Sequence, residues 1–230
     1  MWHINKTRPP EEFIEYCKTP GVSYEGLSGE PKKKLRKRLV EDQGYICCYC
    51  GMEISDDEHT KIEHVQCQKY HGDLALCFDN MLASCDGGES DRKAFSKAGR
   101  PERQTMQKHQ EHCDAKKEDQ DIPVSPLDIG IENFITYFDD GSVKGCDDSG
   151  EHHSGEQLIQ ILGLNARYLQ TLRKNAIDSY LEIPMDDIKT EIEKLHVLNS
   201  GRLQPFCFAI EQCLYAILKD KEDELALVAS

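Results

Sequence analysis

Between Pro9 and Val40 the apolar residues recur at helical spacing in two short runs. Phe13, Ile14 and Tyr16 follow a Pro9-Pro10 start, which suits a first helical turn because no amide hydrogen is needed there, and Thr19-Pro20-Gly21 stops the run. Ser28 can cap a second helix, Pro31 fits its first turn, and Leu35, Leu39 and Val40 mark its apolar stripe amid KKKLRKR. From Gly44 to Lys117 the periodicity gives way to short segments, turns and concentrated Cys, His and Asp. That is the texture of a fold organised by metal rather than by a large apolar core. Inside it, DGGESDRKAFSKAGRPERQTMQKHQEH reads as mostly loop, with a helical stretch from Arg100 to His112. Next, ENFITYFDDGSVKG shows an apolar strand, the Asp140-Gly141 turn and a returning strand, which predicts a β-hairpin over 132–145.

Beyond Glu151 helical periodicity returns and persists. Leu158, Ile161 and Leu162 form one face, Tyr168, Leu169, Leu172 and Ala176 another, and Ile188, Ile192, Leu195 and Leu198 a third. The last run, PFCFAIEQCLYAILK, is apolar nearly all round from Phe206 to Leu218, which predicts burial in a bundle or against a partner. The pattern therefore predicts an α+β chain in four parts: N-terminal helices (1–43), a cysteine-rich core (44–122), a hairpin extension (123–150) and a helical, partner-binding region (151–230).

Composition narrows the class. No apolar run approaches the roughly 20 residues that span a bilayer, and MWHINKTRPPEEF lacks the apolar core of a secretory signal, so a cytoplasmic protein with reduced thiols is expected. The net charge of −14 is unevenly spread: +4 over residues 1–40, −7 over 41–120 and −11 over 121–230. Within the middle part, residues 92–117 carry eight basic side chains against three acids. Such a patch can hold phosphates, because the attraction is local and screened within about 10 Å. Arg92, Lys93, Arg100, Arg103, Lys116 and Lys117 are its candidate nucleic-acid contacts, whereas the acidic C-terminal part should repel nucleic acid and face protein.

Eleven cysteines, an odd number, argue against a closed set of disulfides and put metal binding first. Cys17, Cys67, Cys77, Cys146, Cys207 and Cys213 sit singly among apolar or mixed neighbours and read as packing. Cys47 and Cys50 are spaced so that both thiolates can grip one zinc ion from a tight turn, and Cys85 and Cys113 complete a candidate tetrahedral site. The 27 residues between the last two leave His112 or His109 as alternatives to Cys113. Between the cysteine pairs stand Ile62-Glu63-His64-Val65 and then Phe78-Asp79-Asn80-Met81-Leu82.

The order C-x-x-C, E-H, N-x-L, C, then C-x-x-x-K resembles the HNH endonuclease family. Within it, EDQGYICCYC, IEHVQ, FDNMLASCDGG and HCDAKKED are similar to the PtuB-type nucleases of Septu and retron-associated anti-phage systems. The resemblance implies a zinc-organised ββα-metal core that hydrolyses phosphodiester bonds of DNA or RNA with magnesium or manganese. It makes His64 the general base, gives Glu63 to the catalytic ion and has Asn80 fix the loop that orients the base. Glu63 and His64 are adjacent on a strand and would point to opposite sides, so the resemblance requires a turned or bulged backbone there. The last motif position falls on Asp114, a hard oxygen ligand suited to such ions, with His112 as the alternative. Implied partners are nucleic acid, a PtuA-type ABC ATPase and a retron reverse transcriptase; the chain has no G-x-x-x-x-G-K-[ST] loop of its own. The competing reading is a catalytically inactive zinc-fold adaptor.

Overall fold

Helix α1 (Glu11–Lys18) starts directly after Pro10, places Glu11 and Glu12 in its first turn and Lys18 in its last, and buries Phe13. Those charges complement the helix dipole at both ends. Helix α2 (Gly29–Asp42) follows Ser28 and buries Leu35, Leu39 and Val40, the stripe expected of it, while its lysines stay outside. The computed structural model describes residues 1–146 and 153–228.

Strands β1 (Lys61–His64) and β2 (Met81–Ser84) pair antiparallel in unbroken register, from Lys61 opposite Ser84 to His64 opposite Met81. Every residue of β2 is buried, so the strand shows no alternation of apolar and polar positions. Helix α2 lies against β2, and the buried Gln43 amide bonds both the carbonyl (2.7 Å) and the N–H (2.7 Å) of Ala83, extending the ladder with a side chain. The polar stretch read as mostly loop is instead a helical pair, α3 (Glu89–Lys97) and α4 (Pro101–Lys108), which pack on each other. The helix expected over 100–112 stops at Lys108, and α5 (Cys113–Lys117) completes a β1-β2-α5 unit.

The predicted hairpin is present as β3 (Ile135–Tyr137) and β4 (Val143–Gly145), joined across Asp140 and Gly141, where Gly141 takes φ +80°. Helices α6 (Ser154–Leu162), α7 (Arg167–Asp178), α8 (Ile188–Leu195) and α9 (Cys207–Val228) follow. The sequence boundary near 150 lies outside the described residues. One apolar cluster runs from Phe13 and Leu39 through Leu82 and Ile135 to Leu158, Leu169 and Ile210. Phe206, Phe208, Ala209, Ile210, Cys213 and Leu214 are buried inside the chain itself, whereas Tyr215 farther along the same run is 54% exposed. Among the described residues, no helix is long and apolar enough to cross a membrane.

Candidate active site and cysteine cluster

Cys47 and Cys50 lie in a turn closed by the Ile46–Glu53 bridge, where the Cys47 N–H donates to the Met52 carbonyl (2.8 Å) and the Gly51 N–H to the Cys47 carbonyl (3.1 Å). Cys85 follows β2 and Cys113 opens α5. The long gap between them closes at the backbone. The His112 N–H donates to the Gly87 carbonyl (3.2 Å), and Gly87, at φ +60°, approaches so closely that a Cβ would stand 1.8 Å from the His112 oxygen. Only glycine fits that contact. Residues 88–111 therefore leave and return at one point, and Cys85 and Cys113 meet as in a knuckle of ordinary length.

The four sulfur atoms lie within 4.8 Å of one another, with Cys47–Cys113 and Cys50–Cys85 both at 3.8 Å. A tetrahedral ion with metal–sulfur bonds of about 2.3 Å needs sulfur edges of about 3.8 Å, so this buried cluster can hold a metal such as zinc. Burial alone raises these thiols, yet hydrogen bonds led by Cys113 bring Cys47 well below its ordinary value and Cys50 to about 7. His112 is buried beside them, its Nδ1 3.2 Å from the Cys113 sulfur and 3.8 Å from that of Cys85. The four-thiol set is complete without it.

Glu63 and His64 end β1 with their side chains on opposite sides, as adjacent strand residues do. The turned or bulged backbone expected here is absent, because the register with β2 continues through both residues. Glu63 accepts from the Tyr49 hydroxyl (3.1 Å) and from the Lys117 ammonium (2.8 Å). Asp114 joins Glu63 on that side: burial, then the charge of Glu63 and a hydrogen bond to it, push its pKa up to about 8. Two carboxyl groups thus meet on one side of β1 beside a single buried ammonium, that of Lys117. That donor set fits a hard divalent cation.

His64 faces the loop after β1. Its Nε2 lies 3.0 Å from the Ala75 carbonyl, which can only accept, so Nε2 carries the proton and Nδ1 keeps the lone pair. The Gln68 amide donates to that Nδ1 (3.1 Å). Burial, aided by the Lys117 charge, holds the pKa of His64 below its ordinary value, so the ring is neutral at pH 7. Asn80 accepts from the Gln66 N–H (2.8 Å) and donates to the Gln66 carbonyl (3.0 Å), pinning the start of the same loop.

The structure distributes the six cations proposed for nucleic acid unevenly. Lys117, 2% exposed, is not a surface group: its ammonium bonds Glu63 and the His64 carbonyl (2.9 Å). Arg92 pairs with the buried Glu111, and Lys93 pairs with Glu89 (2.7 Å). Arg100, Arg103 and Lys116 are exposed, as are Lys97 and Lys108, and none of these five forms an ion pair with a described residue. Sequence reasoning missed Tyr49, Gln68, Tyr24 and the internal role of Lys117. For Tyr24 no signal existed, since SYEGLSG marks only a loop.

No protein-family model matches the chain. It is similar to "Retron Vc95 putative HNH endonuclease" of Vibrio cholerae serotype O1 biovar El Tor, 26% identical over 198 residues covering 80% of this chain and 85% of the relative. It is also similar to "Retron Ec83 putative HNH endonuclease" of Escherichia coli, 29% identical over 101 residues, 38% of each chain. The chain thus resembles proteins named as HNH endonucleases of retrons.

Proposed function

We propose that the chain is a metal-dependent HNH endonuclease in which His64 is the general base, Glu63 and Asp114 hold magnesium or manganese, and Cys47, Cys50, Cys85 and Cys113 hold a structural zinc. The observation that carries this reading is the meeting of Glu63 and Asp114 on one side of β1, directly beside a neutral, oriented His64 on the other. A phosphate set against the end of β1 meets the base on one side and the carboxylates on the other. The divalent ion, when bound, supplies the charge that offsets negative charge developing on the phosphate oxygens. His64 takes a proton from water at Nδ1, the position now capped by Gln68. The Ala75 carbonyl holds the ring in the required tautomer, Asn80 fixes the loop that carries Ala75, and Lys117 holds Glu63 in place.

The exposed Lys97, Arg100, Arg103, Lys108 and Lys116 are the groups available to the nucleic-acid backbone. Contacts from such side chains to phosphates position the nucleic acid rather than select its sequence. The reading extends to a defence role in complex with an ABC-type ATPase and a retron reverse transcriptase and its nucleic acid, of which the relatives' names support the retron part alone, with the acidic C-terminal helices as the protein-facing side.

The test is cleavage of labelled DNA and RNA with magnesium or manganese, with and without the ATPase, by the wild-type chain and by His64→Ala. Loss of a general base should lower the rate at least about 100-fold. Zinc content and melting temperature should not change. Undiminished biological activity in His64→Ala would instead favour the inactive adaptor.

A further inference from the structure

We propose that Tyr24, in the loop between α1 and α2, is a catalytic residue whose hydroxyl donates a hydrogen bond to a non-bridging oxygen of the scissile phosphate. This deepens the nuclease reading and rests on it. The Tyr24 ring stands edge-on to His64, with centroids 4.5 Å apart and planes at 90°. Ser23, Tyr24 and Glu25 form one wall of an open cleft, and Gln68, Asp73 and Ala75 form the facing wall. Gln68 and Ala75 are the two partners of the His64 ring nitrogens, so this cleft is the approach to the base. A phosphate whose attacking water loses its proton at Nδ1 must enter beside Tyr24.

Among the described residues the hydroxyl itself is unused. It forms no hydrogen bond with a described residue, although the ring is half-buried and a phenol so placed ordinarily finds a partner. Phe at this position would brace His64 equally well. Burial, then the charges of Asp114 and Glu63, push the Tyr24 pKa up to about 12, so the group keeps its proton and can only donate to an anion. The Lys32 ammonium stands 5.5 Å from the ring centroid and pairs with no described carboxylate, which adds attraction for a phosphate at the same place. A fixed neutral donor at this point strengthens as negative charge grows on the oxygens, and so acts on the transition state more than on substrate binding.

The full chain should be compared as wild type, Tyr24→Phe, Tyr24→Ala and His64→Ala on labelled DNA and RNA with manganese, together with zinc content and thermal melting. Tyr24→Phe is expected to lower kcat at least about tenfold with KM, zinc and melting temperature unchanged. A Tyr24→Phe rate within twofold of wild type overturns the proposal, including the case in which Tyr24→Ala alone is slow, since the ring would then be only a brace. If wild type and His64→Ala do not differ, the nuclease reading itself fails, and this proposal with it.

Discussion

Asp114 and Lys117 lie one helical turn apart on α5, and both face Glu63. Lys117 is fully enclosed, so its charge is tolerable only because Glu63 and the His64 carbonyl receive it; removing one partner of such a pair leaves a buried charge at a cost of about 3–5 kcal/mol. Asp114 is therefore the carboxylate that must wait for a cation. Its folded pKa of about 8 stands above the ordinary 3.8, so between these values the folded chain keeps a proton that the unfolded chain releases. The associated stability is fully present below the ordinary value and is lost as pH rises through about 8. Without added divalent ions, the melting temperature of wild type relative to Asp114→Asn should fall between about pH 5 and 8 and then level. Added manganese should remove the fall by ligating the ionised carboxylate. Parallel curves for the two proteins would show that Asp114 does not titrate as placed here.

At the scale of elements, the α3-α4 pair is an insertion that the Gly87–His112 contact makes separable from the cysteine cluster. Replacing residues 88–111 by a short Gly-Ser turn should leave zinc content and melting temperature nearly unchanged while weakening nucleic-acid binding. Arg100→Ala with Arg103→Ala in the intact chain should weaken binding to all sequences alike and lower the slope of log affinity against log salt by about two. Loss of zinc on excision would show that the arm is structural. Within the arm α4 was legible as part of the stretch from Arg100 to His112, whereas α3 was not, because ESDRKAFSK has Phe95 as its only large apolar residue and so shows no apolar stripe. Helices α1, α2, α6, α7 and α8 were legible because each buries one periodic face, the hairpin because of its Asp140-Gly141 turn, and α9 because of its continuous apolar run. Cys47 and Cys50 could be read from spacing, whereas the approach of Cys113 to Cys85 depends on a backbone contact 25 residues apart in sequence. Charge marked Lys117 as basic, but only packing shows that it points inward.

Over the whole molecule, the parts that looked separable along the chain converge on the cysteine cluster. The Phe206 N–H at the start of α9 donates to the Gly51 carbonyl (2.8 Å), and the Phe208 ring rests where a Cβ on Gly51 would lie 2.5 Å away. Phe208 also meets Tyr137 of the hairpin, centroids 5.3 Å apart, while the buried Arg173 of α7 stands over Tyr137 and donates to the Leu164 carbonyl (3.0 Å) and to that of Gly141. Helix α5 rests on α6. A metal bound by the four thiols thus fixes the surface on which α9, the hairpin and α6 all sit, and structural zinc contributes on the order of 10 kcal/mol or more to folding. Stripping it with a strong chelator, or replacing Cys47 by Ser, should therefore abolish the cooperative thermal transition of the whole chain rather than loosen one region. Amide exchange is the measurement that separates these outcomes: protection in α6, α7 and α9 should disappear together with protection in β1, β2 and α5. If the C-terminal helices keep their protection after zinc is removed, they fold as an independent unit, and the contacts of Phe206 and Phe208 with Gly51 join two domains instead of building one.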